Sequence, residues 1–182
     1  EVTDPRTMRL TFDEKLDRNI PVAEKFVIDP PLGISAVAFA DPALTSLVLT
    51  FSEAVRSGQH YTISAHDLYD CAGNKIREGY TQVKFVLPEK AAPGDIVVNE
   101  ILFDPRPGGI DFIEVYNRSP KTIDLRNWSV RNIDSGSGKK STLLSDSVSI
   151  IGPGDYRVFT EDPEVLNGEY PLGRQETFWQ SD

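Results

Sequence analysis

The chain has a single cysteine, Cys71, so it forms no internal disulfide and no cysteine-rich zinc site. It has two histidines, His60 and His66. A Ser-His-Asp or Cys-His centre would have to use one of them, and no G-x-S-x-G elbow surrounds any serine. The HExxH, Walker and GxGxxG signatures are also missing. No apolar run approaches the roughly 18–20 residues that a membrane helix needs. The opening, EVTDPRTMR, has no start methionine and no signal-peptide pattern; it reads as a mature or excised fragment whose address has been cut away. Positive charge is scarce: 19 Lys and Arg against 28 Asp and Glu give a net charge of −9. Residues 1–92 hold 10 basic and 13 acidic side chains, and residues 93–182 hold 9 and 15, so neither half offers the basic footprint of a phosphate-backbone binder.

What is present is the composition of a turn-rich globular chain, 39% hydrophobic with 13 Gly and 13 Pro. Helical periodicity is almost missing. Most windows alternate apolar and polar residues and end at Gly, Pro, Asn or Asp, which is the strand signature. Strands are expected near 7–12, 23–28, 34–40, 46–51, 60–65 and 82–87. A second set is expected near 96–103, 112–117, 128–132, 148–151 and 156–160. The stretch PEKAAPG at 88–94 reads as a linker. The expected architecture is all-β, with a domain at 1–88, a linker at 89–94 and a domain at 95–182, each a β-sandwich.

In the first half, the strand ending in Phe51-Ser-Glu is followed by SGQHYTISAHDLYDCAGN at 57–74. Tyr61, Ile63 and Ala65 alternate inward, so Tyr61 and Phe51 are expected in the core. Gly73 and Asn74 tolerate positive φ, and the Asp70 carboxylate can accept from nearby backbone N–H groups. This F-S-E, G-x-x-Y-T and D-x-A-G-N wording resembles bacterial Ig-like domains of the SbsA type, over about residues 4–88. The resemblance implies an extracellular β-sandwich spacer; Cys71 departs from the polar or small residue expected there. Asp67, Asp70 and Asn74 are open to two readings, a hydrogen-bonded turn or a Ca²⁺ site, since calcium takes roughly six to eight oxygens.

In the second half, NEI at 99–101 leads into the strictly alternating DFIEVYN at 111–117, and DLRNWSV follows at 124–130. Trp128 at the head of an alternating strand is expected to be a buried anchor, with Phe112 or Ile113 beside it in the core. Together with IIGPGDYRVF at 150–159, this pattern resembles the lamin tail domain over about residues 94–182. The resemblance implies an Ig-like sandwich serving as an interaction surface. The combination implies the bacterial secreted or surface type, from a Bacteroidetes-like source, and two tandem Ig-like sandwiches in all.

The carboxylates Glu100, Asp104, Asp111 and Glu114 can ring the sandwich and keep an edge soluble, bind a hard cation, or, as a pair, do acid–base work. Asp111 and Glu114, three apart on a strand, point to opposite faces. SGSGKK at 135–140 reads as an exposed loop rather than a phosphate cradle. No catalytic residue and no cofactor is assigned, Ca²⁺ being the one ion weighed. The leading expectation is a non-catalytic extracellular pair, a spacer plus an interaction or targeting module of a larger protein. The alternatives are an accessory region of a secreted hydrolase or nuclease, and a lamin-like scaffold contacting chromatin, which would need basic residues the chain lacks. The expected partner is a protein or a cell-surface component, with no nucleic acid and no membrane insertion. The resemblance further implies that the last strands of the second sandwich are missing. It would then borrow a neighbour's strand as a strand-exchanged homodimer, or keep an open edge near 96–103 partly covered by Phe178 and Trp179.

Overall fold

The computed structural model describes residues 1–19, 22–103, 105–131 and 141–181. Asp104 and the 135–140 loop lie outside the described residues. The chain is nearly all-β and divides into two units, Glu1–Leu87 and Pro88–Asp182.

Among the described residues, the first unit has seven strands: β1 (Val2–Asp4), β2 (Thr7–Thr11), β3 (Phe26–Asp29), β4 (Ile34–Phe39), β5 (Ser46–Phe51), β6 (His60–Ala65) and β7 (Gln82–Val86). They form two sheets, ordered β1-β2-β5-β4 and β3-β6-β7, all pairs antiparallel. One face of each sheet is apolar, and the two faces share a core. Met8, Leu47, Leu49 and Phe51 come from one sheet; Phe26, Ile28, Tyr61, Ile63 and Phe85 come from the other. Phe85 stacks on both Phe51 and Tyr61, with ring centroids 6.2 and 5.2 Å apart. Phe51 and Tyr61 therefore lie in the core. The 23–28 stretch is a strand only in part: Ala23–Lys25 is a single 3-10 turn leading into β3.

The second unit has β8 (Ile96–Leu102), β9 (Phe112–Asn117), β10 (Ile123–Asp124), β11 (Ser129–Arg131), β12 (Ser141–Leu143), β13 (Ile150–Ile151), β14 (Tyr156–Thr160), the helix α1 (Pro163–Glu169) and β15 (Phe178–Gln180). One layer is a four-stranded sheet, β15-β14-β9-β8; the other is two ribbons, β10-β13 and β11-β12. Between them pack Val115, Ile123, Leu125, Leu144, Ile151 and Phe159. The 88–94 segment is held to this unit. The Glu89 N–H donates to the Thr122 carbonyl at 2.8 Å, and Ala91 packs against the core.

One core expectation needs correction. Ile113 packs against the core cluster, but Phe112 does not belong to it. Phe112 leaves the sheet on the opposite face, because successive strand side chains alternate, and meets Tyr170 edge-on at 6.0 Å. Trp128 is mostly but not fully buried and packs against the same core cluster. Asn127 takes the left-handed conformation, φ 64°, and turns the chain just before β11. The indole thus lies at the rim of the core rather than in its centre.

The helix α1 is a further difference from the expected pattern. Asp162 caps it, its Oδ1 accepting from the Glu164 and Val165 N–H groups at 3.0 and 3.1 Å, and Pro163 occupies the first turn. It buries Leu166 and packs on β14 and β15. The chain then returns as β15, parallel to β14. Trp179 therefore covers the edge of the sheet away from β8, where Arg157 lies 4.7 Å from its ring. Neither it nor Phe178 shields the 96–103 edge, as had been expected.

Candidate functional site

The D-x-A-G-N segment of the first unit forms a closed turn. Gly73 adopts φ 88°, a conformation that costs a glycine little. Asp70 Oδ1 accepts from the Ala72 and Asn74 N–H groups, both at 2.8 Å, and Oδ2 accepts from Asn74 Nδ2 at 2.7 Å. The Asn74 side-chain hydrogen bond is the main cause that holds the Asp70 carboxyl below its usual range. Asp67 faces Lys75 at 2.6 Å, and hydrogen bonding and charge from that ammonium lower its pKa. Both carboxylate oxygens of Asp70 and Oδ1 of Asp67 are thus engaged with the protein's own donors. His60 opens β6 and His66 follows its end; both are exposed.

In the second unit the pairing of β8 with β9 brings two carboxylates together. The register shifts between Val98 and Glu100, so Glu100 stands directly opposite Glu114. A plain alternation from Val98 would have set these residues out of step; the irregularity aligns them. Asn99 Nδ2 donates to Glu114 Oε1 at 2.7 Å. Among the described residues, no three His, Cys, Asp or Glu side chains gather as a metal-ligand set.

Glu100 and Glu114 lie on the outer face of the sheet, away from the core cluster. In the next row Val97 faces Tyr116, and Tyr116 faces Tyr156. The two rings are 4.7 Å apart, and Tyr156 is 40% exposed. This outer face thus presents a tyrosine pair beside a carboxylate pair. Tyrosine offers a large rigid apolar surface with a polar tip, the combination enriched at protein interfaces.

The frame behind that face hangs on Asn117, which was not singled out from the sequence. It is fully buried at the end of β9. Its Nδ2 donates to the carbonyls of Lys121, Gly152 and Ile151 at 2.7, 2.9 and 3.3 Å, and its Oδ1 accepts from the Ser119 N–H and Oγ at 3.0 and 2.7 Å. One side chain therefore joins the turn after β9 to the turn before β14. The polar end of an otherwise apolar inward row, Ile113-x-Val115-x-Asn117, was the available signal.

The core-side face of β8 is open. Val98 pairs with buried Val115 and Ile101 with Ile113, so each points to the core side. Yet Val98 is 52% and Ile101 55% exposed.

Residues 89–180 match the family model of the Lamin Tail Domain. No curated protein sequence matches the chain. Among solved structures, the chain is similar to surface layer protein SbsC, domains 1–6, at 16% identity and TM-score 0.41, covering 83% of this chain and 18% of that one. It is also similar to the N-terminal part of the bacterial S-layer protein SbsC, at 15% identity and TM-score 0.43, covering 84% of this chain and 40% of that one. The chain thus spans less than half the length of either solved chain.

Proposed function

The chain belongs to the lamin tail domain family through residues 89–180, and from that membership we propose a non-catalytic pair of modules in a larger secreted or cell-surface protein. In this reading the second unit is the interaction or targeting module, and the first is a spacer of the bacterial Ig-like, SbsA type. The observation that carries it is the half-exposed tyrosine and carboxylate pairs on one face of a sheet, held on paired strands rather than on loops. The net charge of −9 directs this face to a protein or cell-surface component and away from nucleic acid. No described helix is long and apolar enough to cross a membrane. The open core-side face of β8 suits pairing with a second copy.

Binding of the labelled chain to intact cells that produce the parent protein tests this reading. Wild type binds saturably, and the double variant Tyr116→Ala, Tyr156→Ala binds at least about tenfold more weakly, the scale of losing an aromatic anchor. Equal binding by the two folded proteins refutes the assignment of the face.

A further inference from the structure

Among the described residues, the two sheets of the first unit end in four edge strands, β1, β4, β3 and β7. Short length, charge and proline are devices that keep an edge from pairing with another chain. β1 is three residues long and ends in Asp4. β3 is four residues long and runs into Asp29-Pro30-Pro31. β7 carries Lys84 at its middle. β4 has none of these devices: Ile34-Ser-Ala-Val-Ala-Phe39 is six residues long, with no charge and no proline. Its one irregularity, the register shift between Ile34 and Ala36, lies at its start. β5 and β2 stand between it and β1, on the far side of the sheet.

The hydrogen-bond pattern fixes which backbone groups face out. The Ala40 N–H donates to the Ser46 carbonyl at 2.9 Å, toward β5. Backbone direction alternates along a strand, so Ala38 and Ala36 also bond inward, to their partners Val48 and Thr50. Phe39 and Val37 then turn their N–H and C=O groups away from β5. The far side of β5 agrees: the Phe51 N–H donates to the Arg6 carbonyl beside β2, which leaves Thr50 and Val48 to bond with β4. Among the described residues, none hydrogen-bonds to the outward groups of Val37 and Phe39. Ala36 and Ala38 are exposed on the outer face of the sheet, while Val37 and Phe39 pack, partly buried, against the core.

We infer that β4 pairs antiparallel with β4 of a second copy of this chain, about a two-fold axis at Ala38. The strand is self-complementary in that register. Val37 of one copy stands opposite Phe39 of the other. Each such pair exchanges two main-chain hydrogen bonds, so every outward group of Val37 and Phe39 is used. Both apolar side chains lie on the core side, where the pair carries the apolar layer across the joint. Ala38 meets Ala38 at a close, non-hydrogen-bonded position, about 4.5 Å between Cα atoms, and Ala36 meets Ala40. No charged residue lies in the paired stretch. Isologous two-fold contacts are the commonest mode of association between identical chains. A single pair of edges buries less than the roughly 1,200–2,000 Å² of a standard interface, so the dimer is a weak one. This contact is separate from the tyrosine face of the second unit and does not depend on it.

Sedimentation equilibrium of the whole chain, from micromolar to millimolar concentration, tests this with the variants Ala38→Lys and Ala38→Glu. Both alter an exposed position and keep the wild-type urea midpoint at low concentration. Wild type dimerises, and more tightly as salt screens the net charge of −9 on each copy. Each variant alone dimerises at least about tenfold more weakly, because like charges meet at the axis. An equimolar mixture of the two associates at least about fivefold more tightly than either alone at low salt. Hydrogen exchange at the Val37 and Phe39 amides slows with rising concentration in the wild type and not in either variant. Four results overturn the proposal: a monomer at millimolar concentration, a dimer that both variants leave unchanged, a mixture no tighter than its components, or a dimer without protection of the Val37 and Phe39 amides.

Discussion

Replacing Asn117 with Asp changes one atom and is expected to cost the second unit most of its stability at neutral pH. The side chain keeps its shape and its Oδ1 contacts with Ser119. The substituted atom, however, changes from a donor into an oxygen facing the carbonyls of Lys121, Gly152 and Ile151. Two donated hydrogen bonds, at about 1 kcal/mol net each, are lost, and carbonyls deprived of a buried donor add about 1–3 kcal/mol. The sum is about 3–5 kcal/mol before the cost of a desolvated charge. Protonation restores one donor, so the new carboxyl has a raised pKa in the folded state. A raised acid pKa means that the folded state binds the proton more tightly. The penalty is therefore smallest below the ordinary carboxylate value of about 3.9 and grows as pH rises through the folded-state value. Urea unfolding followed by tryptophan fluorescence isolates this unit, because Trp128 and Trp179 are the only tryptophans and both lie in it. A loss under about 1 kcal/mol at pH 7, or a loss that does not diminish on acidification, refutes the reasoning.

In the first unit, Phe51→Ala is expected to cost about 3–5 kcal/mol, the usual range for a buried aromatic, read as a fall in that unit's urea midpoint by methyl NMR. Trp128→Ala, at the rim of its core, is expected to cost less, about 1–3 kcal/mol by the same unfolding assay. Hydrogen bonds from the Ser46, Lys75 and Asn74 side chains hold the carboxyls of Asp41, Asp67 and Asp70 below their ordinary range. Their contribution is complete above the ordinary carboxylate value and is lost as pH falls through the lowered ones; a pH series of urea midpoints should show it, and Asp70→Asn should flatten the acid limb. Removing the cap with Asp162→Ala is expected to cost about 1 kcal/mol and to speed hydrogen exchange at the Glu164 and Val165 amides.

The long strands were legible because burial on one face leaves its period in the sequence. Ser46-Leu-Val-Leu-Thr-Phe51 and Phe112-Ile-Glu-Val-Tyr-Asn117 are both strands. The ribbons β10 and β13 are two residues each, too short for any period to show. The helix α1 is seven residues long, and its signal lay in the cap, Asp162-Pro163, rather than in periodicity. The facing of Glu100 and Glu114 depends on a register shift in the pairing of distant residues, which local patterns do not carry.

The passage from one unit to the next is short. The Leu87 carbonyl accepts the Gly58 N–H at 2.9 Å, and the Glu89 N–H donates to Thr122 at 2.8 Å. Pro88 alone stands between these anchored residues. A tensile load along the chain is therefore handed directly from a bond of the first sandwich to a bond of the second, with no slack to take up first. Cleavage at this joint would require one of those anchors to open, since a protease needs several residues of extended backbone and the joint offers one.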